Sequence, residues 1–146
     1  MLFLGIDIGS SSVKACIFDA STGMVADSAI YPHAEMEILS PAPGFAEQHP
    51  DSWFDNIKKA LRIIESRNKI IIREVAAIGI AYQMHGLVIV DKAGKPLRNA
   101  IIWCDSRAVS IGEKAFYTLG QGFCLSHLLN SPGNFTASKL KWVKNN

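Results

Sequence analysis

Cysteine is scarce. Cys16, Cys104 and Cys124 are the three in 146 residues, with no close pair and no Cys-x-x-Cys. This argues against a disulfide framework and against a thiolate zinc site, and it points to a reducing cytosol as the compartment. Basic clusters are lacking too: the formal net charge is +2 and no basic run occurs, so charge-driven binding to nucleic acid or to an anionic membrane is not expected. No uninterrupted apolar segment reaches the roughly 20 residues that cross a bilayer. The opening Met1-Leu2-Phe3-Leu4 has no basic segment before it, and Asp7 interrupts the apolar stretch early, which argues against a secretory leader. What is present is a hydrophobic content of 49% with 19% charged residues, the balance of a soluble globular chain of one domain's length.

The most informative stretch runs from Leu2 to Lys14. Leu2 to Ile8 is an apolar run of strand length, and its continuity predicts a strand buried on both faces. Asp7 lies inside it, between Ile6 and Ile8, where a bare carboxylate is costly unless a cation or hydrogen-bond donors meet it. The plainer reading is a strand-end carboxylate capping the turn. The chemical reading comes from the residues just beyond it: Gly9 allows close backbone approach, Ser10, Ser11 and Ser12 offer hydroxyls and amides, and Lys14 adds a positive charge. Those are the parts of a phosphate-binding hairpin, with Asp7 placed to hold Mg²⁺.

Val13 to Phe18 and Met24 to Tyr31 read as further strands, joined through the turn Asp19–Gly23, so the sheet is expected to open with an antiparallel meander. His33 to Pro50 contains Pro41, Pro43 and Gly44 and reads as a long surface connection. Asp51 to Arg67 carries Trp53, Phe54, Ile57, Ala60, Leu61 and Ile64 at helical spacing, which predicts an amphipathic helix with Trp53 and Phe54 as core anchors. Val75 to Ala81 reads as a central buried strand, Leu87 to Val90 and Ala100 to Trp103 as short strands, and Asp91–Gly94 as a turn. Asp105 or Ser106 is expected to cap a helix running to about Leu119, with Gly120 as its stop and Gly112 weakening it. Thr136 opens a final helix, Ala137 to Val143, that runs directly into Asn145-Asn146; its brevity suggests a truncated domain. The layout predicts an α/β layer fold with a mixed sheet.

Three later loops carry side chains suited to a small polar ligand. Tyr82-Gln83-Met84-His85-Gly86 comes directly after the strand Val75–Ala81, and ligands of open α/β sheets gather beyond the carboxyl ends of strands. Gln83 and His85 supply polar groups, Met84 an apolar surface and Gly86 a sharp exit; the alternative is an ordinary surface loop. Trp103 and Asp105 form a second pair, an indole face for a sugar and an acceptor for its hydroxyls. The alternative there is a core tryptophan and a helix cap, with Arg107 pairing a carboxylate. Asn130–Thr136 precedes the last helix, whose free amides could line a hydroxyl or anion site.

Taken in order, these stretches resemble the N-terminal part of the FGGY family of carbohydrate kinases. The motifs are Gly5–Lys14, Phe45-Ala46-Glu47-Gln48-His49-Pro50, Gln83-Met84-His85-Gly86, Ser131–Thr136 and Phe135–Trp142. The wording is nearest to the xylulokinases, with Phe45 and Phe54 where tryptophan is typical. Glycerol-specific members carry Arg-Glu where this chain has Met84-His85. The resemblance implies an actin-like, RNase H-like fold in β-β-β-α-β-α order. It implies residues 1–146 as a partial sugar-kinase domain without a C-terminal ATP-binding domain. ATP with Mg²⁺ would be the cofactors, and D-xylulose the substrate of phosphoryl transfer. It further implies Asp7 at the metal; Gly9, Ser10, Ser11, Ser12 and Lys14 at the phosphates; and Gln83, Met84, His85, Gly86, Trp103, Asp105 and Asn134 at the sugar.

In the family the proton-accepting aspartate and the adenine pocket come from a later segment, so no catalytic base is expected within these residues and the isolated chain is expected to be inactive. The partners implied are the sugar, ATP and the remainder of a kinase chain, without nucleic acid or membrane, and a homodimer is compatible with them. Competing readings are a non-catalytic sugar-binding module, a kinase for another pentulose or a sugar acid, and an inactive structural half-domain. An RNase H-like nuclease is disfavoured, because two-metal cleavage needs several converging carboxylates and Asp91 and Asp105 sit beside turn and sugar-site signals.

Overall fold

The computed structural model describes residues 1–68 and 72–146. The chain divides into two compact units: Met1–Glu37 with Pro50–Gln83, and Ile38–His49 with Met84–Asn146. The first unit is built on the expected meander. Strands β1 (Leu2–Ile8), β2 (Val13–Asp19) and β3 (Met24–Tyr31) are joined antiparallel. The turn after β2 is closed by the Asp19 carboxylate, which accepts the Ser21 N–H at 2.9 Å and the Ser21 Oγ–H at 2.7 Å. These bonds hold the Asp19 carboxyl below its ordinary value. Gly23, at φ +71°, supplies the left-handed residue that the turn requires.

Helix α1 (Pro50–Asn68) comes next in this unit, and then β5 (Val75–Tyr82), which pairs parallel to β1. The sheet order is therefore β3-β2-β1-β5, a mixed sheet of the kind expected. Alternation along the strands sends Leu4, Ile6, Val13, Ala15 and Ile17 to one face, where Ala60 and Ile64 of α1 complete the core. These side chains are all buried, and each contributes about 1–3 kcal/mol by leaving water.

Three expectations fail here. Strand β1 is buried on one face only, since Gly5 and Asp7 on the other are exposed. Strand β5 is an edge strand rather than a central one: α1 packs on β2 and β3, so Ile78 and Ile80 remain exposed among the described residues. A continuous apolar run is also what a parallel strand needs for packing on both faces, and sequence alone does not say where its covering layer comes from. Phe54 is 63% exposed rather than a core anchor, because α1 turns it outward, where the Lys58 ammonium sits 5.0 Å over its ring.

The second unit is built around a short antiparallel pair, β4 (Glu47–Gln48) with β6 (Ala100–Ile101). Leu87 joins through a single bridge to Ile101, and the expected strand Leu87–Val90 is absent as such among the described residues. Helix α2 (Val109–Leu119) begins later than expected and without a side-chain cap, because both candidate caps are engaged elsewhere. Asp105 faces the interior, and Ser106 Oγ donates to the Gly44 carbonyl at 3.1 Å. Gly120 ends α2 at φ +91°. The single turn α3 (Gln121–Phe123), a π-helical turn Cys124–Leu128, a 3₁₀ turn Pro132–Asn134 and helix α4 (Thr136–Asn145) complete the unit. Gly112, in mid-α2, faces the 132–134 turn so closely that a Cβ there would stand 2.3 Å from Gly133 Cα and from the Pro132 carbonyl oxygen. Among the described residues no helix is long and apolar enough to cross a membrane.

Candidate functional site

The first unit carries the hairpin. Pairing of Asp7 with Lys14 and of Ile8 with Val13 leaves Gly9–Ser12 as its loop, closed by the Gly9 N–H donating to the Ser12 carbonyl at 3.0 Å. A Cβ at position 9 would stand 3.1 Å from that same oxygen, so the tight closure favours glycine. Behind the loop, the Met36 N–H donates to the Ser11 carbonyl at 2.8 Å and braces it. Asp7 and Lys14 face each other across β1 and β2, and the Lys14 ammonium lies 3.2 Å from Asp7 Oδ2 with both side chains about half exposed. That surface pair contributes at most about 1 kcal/mol, so the carboxylate is held without being consumed.

Beside Asp7 lies a hollow of about 420 Å³ lined by Gly5, Asp7, Lys14, Cys16, Gly79 and Ala81, with Ile6 and Ile80. Its cause is local: Gly5 of β1 and Gly79 of β5 are register partners, and two neighbouring positions without side chains leave the floor of the sheet open.

The second unit carries the expected sugar-side residues other than Gln83. The antiparallel bridge of Leu87 with Ile101, two backbone bonds of 2.9 and 3.0 Å, makes His85 and Trp103 leave from the same end of one pairing. His85 adopts φ +60°, an uncommon conformation for a side chain of its size, and three contacts hold it. Its ring stacks on Phe135 with centroids 4.6 Å apart, its carbonyl accepts from Lys139 Nζ at 2.8 Å, and the next carbonyl, that of Gly86, accepts from Thr136 Oγ1 at 3.1 Å. Met84 is exposed at the tip of the same turn, and Trp103 is 48% exposed just past β6. The Asn134 side-chain amide donates to the Trp103 carbonyl, while its Oδ1 is buried with no hydrogen-bond partner among the described residues. Met84, His85, Gly86, Trp103 and Asn134 thus belong to one locally braced set.

Gln83 ends the first unit. Its N–H extends the β5 ladder to the Ile8 carbonyl at 3.1 Å, and both polar atoms of its side-chain amide are buried without a partner among the described residues.

Asp105 is a correction. Its side chain is 0% exposed, and both oxygens are taken. Oδ2 accepts the Ala46 N–H at 2.6 Å and Arg107 Nη2 at 2.7 Å, and Oδ1 accepts the Arg107 N–H and Nε, each at 2.9 Å. No lone pair is left for a sugar hydroxyl. The plainer alternative, Arg107 pairing a carboxylate, is what the structure contains. Arg107 also pairs with Glu47 at 2.8 Å, which Arg98 meets at 2.8 Å, and its guanidinium lies 3.7 Å from the Phe45 ring centroid.

Sequence reasoning missed Lys139. It is fully buried and donates to the carbonyls of His85 at 2.8 Å and Ile102 at 2.9 Å. Burial pulls its ammonium below the ordinary value, with Asp105 as the main opposing influence. The signal was available: Lys139 shares its helical phase with Trp142 and Val143, the apolar side of α4, where a lysine needs partners.

The chain matches, over residues 2–146, the family described as the FGGY family of carbohydrate kinases, N-terminal domain. A xylulose kinase of Staphylococcus epidermidis is 33% identical over 141 residues, covering 97% of this chain and 27% of that protein. A xylulose kinase of Escherichia coli K12 is 31% identical over 143 residues, covering 98% and 28%. The chain therefore spans 27–28% of the length of these curated relatives. Among solved structures, a xyloylose kinase from Brucella ovis is similar at a TM-score of 0.85 with 29% identity, over all of this chain and 30% of that one. A gluconate kinase from Lactobacillus acidophilus is similar at 0.81 with 25% identity, over 99% and 28%. The expected α/β fold of the actin-like type stands. From its motifs, its mixed sheet and these likenesses, the chain belongs to the FGGY family of carbohydrate kinases.

Proposed function

We propose that this chain is the sugar-binding, phosphate-gripping part of an ATP-dependent kinase that transfers the γ-phosphoryl group to the terminal hydroxyl of D-xylulose. The observation that carries this reading is the bracing of the Met84–Gly86 turn beside Trp103 and Asn134. An indole face packs on the C–H face of a sugar and an imidazole meets its hydroxyls, with the unpartnered Asn134 oxygen beside them. Fixed side chains of this kind lower the entropic cost of orienting a flexible polyol.

The hairpin fits the other substrate. The carboxylate of Asp7 stands exposed beside a loop of amides and hydroxyls, and Mg²⁺ is ordinarily held by one or two carboxylates together with phosphate oxygens. Asp7 would hold the ion, and Gly9, Ser10, Ser11 and Ser12 would donate to phosphate oxygens with Lys14 adding charge. Bound Mg²⁺ supplies neutralisation of the phosphate charge. The group that takes the hydroxyl proton and the adenine pocket belong, in this reading, to the length of the relatives that this chain does not span.

In a coupled assay the full-length product of the gene is expected to consume ATP with D-xylulose, whereas the 146 residues alone bind the sugar by calorimetry without turnover, and Trp103→Ala removes the binding heat. Turnover by the isolated chain at the full-length rate would refute the division of labour. The likeness to a gluconate kinase supports a second reading, a sugar-acid substrate; D-gluconate turned over in place of D-xylulose would establish it.

A further inference from the structure

We infer that Lys139 and Thr136, from the first turn of α4, are positioning residues for the sugar: by binding the carbonyls of His85, Gly86 and Ile102 they fix the imidazole of His85 relative to Trp103. The inference rests on the sugar-site reading above and goes beyond it, because both side chains donate to backbone carbonyls.

The argument is geometric. Residues 85 and 102 sit in two chain segments whose regular pairing, among the described residues, is the bridge of Leu87 with Ile101. Beyond that bridge the ladder stops: the Ile102 N–H turns to the Ala46 carbonyl at 3.1 Å, and no backbone bond among the described residues joins the His85 end to the Trp103 end. Lys139 Nζ replaces the missing rung. A single cation donates to the His85 carbonyl at 2.8 Å and to the Ile102 carbonyl at 2.9 Å, so one atom sets the separation of the two ends. Thr136 Oγ1, one helical turn earlier, takes the Gly86 carbonyl at 3.1 Å, and Phe135 stacks on the imidazole.

The strained backbone of His85, at φ +60°, is what such a clamp has to maintain, since a residue at positive φ persists where its surroundings over-determine it. A buried ammonium is a costly way to tie two carbonyls for stability alone. Its particular property here is directional: three donors on one centre join the His85 carbonyl to that of Ile102, which the Asp105 N–H also meets at 3.2 Å from within its own segment.

The test uses the full-length gene product labelled with ¹³C,¹⁵N-histidine, as wild type, Lys139→Met and Thr136→Val. Steady-state kinetics with D-xylulose and with ATP separate positioning from mere loss of folded protein. Positioning raises the sugar KM, by about tenfold for Lys139→Met and about threefold for Thr136→Val, with the ATP KM within about twofold of wild type. An unchanged sugar KM in both variants, with kcat falling only as the folded fraction falls, overturns the inference.

The second readout does not depend on any substrate. At positive φ the amide and α protons of His85 lie close together and give a strong intraresidue cross-peak, which the variants are expected to weaken. Its persistence at wild-type strength overturns the inference. If the wild type phosphorylates no sugar, the functional reading fails and the histidine spectrum alone decides on the clamp. If Lys139→Met does not fold, Thr136→Val decides by the same criteria.

Discussion

Replacing Gly112 by alanine sets two effects of opposite sign against each other. In an isolated helix the change is favourable by about 1 kcal/mol, because alanine is the better helix former. In α2 the new methyl group would stand 2.3 Å from Gly133 Cα, 2.3 Å from the Pro132 carbonyl oxygen and 2.5 Å from Gly133 N, where ordinary contact begins near 3.4 Å. All three neighbours are backbone, so no side-chain rotation relieves the overlap, and α2 and the 132–134 turn must part by roughly an ångström. Overpacking of this kind costs about 1–3 kcal/mol, and the immovable partners put it in the upper part of that range. The expected net effect is a destabilisation of about 1–2 kcal/mol. For a chain of this size that is a fall in Tm of about 3–8 °C.

Thermal and urea unfolding followed by circular dichroism measure it, with Gly122→Ala as the control. Gly122 has nothing within 4 Å of its Cβ position, and that substitution is expected to be neutral or stabilising by up to about 1 kcal/mol. A Gly112→Ala protein at least as stable as wild type would refute the close-approach argument.

Asp105→Ala is expected to destabilise the protein by about 3–5 kcal/mol, because it leaves the buried Arg107 head short of a counter-charge. Urea unfolding measures it, and a near-neutral result would refute the assignment of Asp105 to the frame. Lys139 gives a pH signature. Its folded value lies below 10.5, so between the two the unfolded chain binds more protons and stability rises with pH. Its unfavourable contribution is complete below the folded value and is relieved as pH climbs from there toward 10.5. The wild type should therefore gain on Lys139→Met as pH rises toward 10.5, measured in a Cys104→Ser background because Cys104, with Asp105 and Arg107, acts on this ammonium. A flat or falling difference would count against the buried charge.

The meander, α1 and the hairpin were legible because local rules govern them. Period-two alternation sets β1 to β3, Asp19 and Gly23 dictate their turn, and Gly9 with three serines marks the tight hairpin loop. Ile78 and Ile80 misled because an apolar run reports a need for cover and not its source. Asp105 misled for a related reason: a carboxylate before a helix looks like a cap or a ligand contact, and only the three-dimensional approach of Ala46 and Arg107, far apart in sequence or turned inward, shows both oxygens occupied. Lys139 was hidden among the other lysines of α4, where composition suggested a solvated helix and phase alone marked one of them as buried. Gly112 was read as a weakness of α2, although its missing side chain is what lets the 132–134 turn approach.

The ion cluster of Asp105, Arg107, Glu47 and Arg98 sets two carboxylates against two guanidinium groups, and that separates two kinds of evolutionary freedom. A scaffold whose charges are answered from within does not depend on the charge or shape of a bound ligand. In the function proposed above, preference among pentuloses and sugar acids can then drift through Met84, Trp103 and Asn134 while that frame stays as it is.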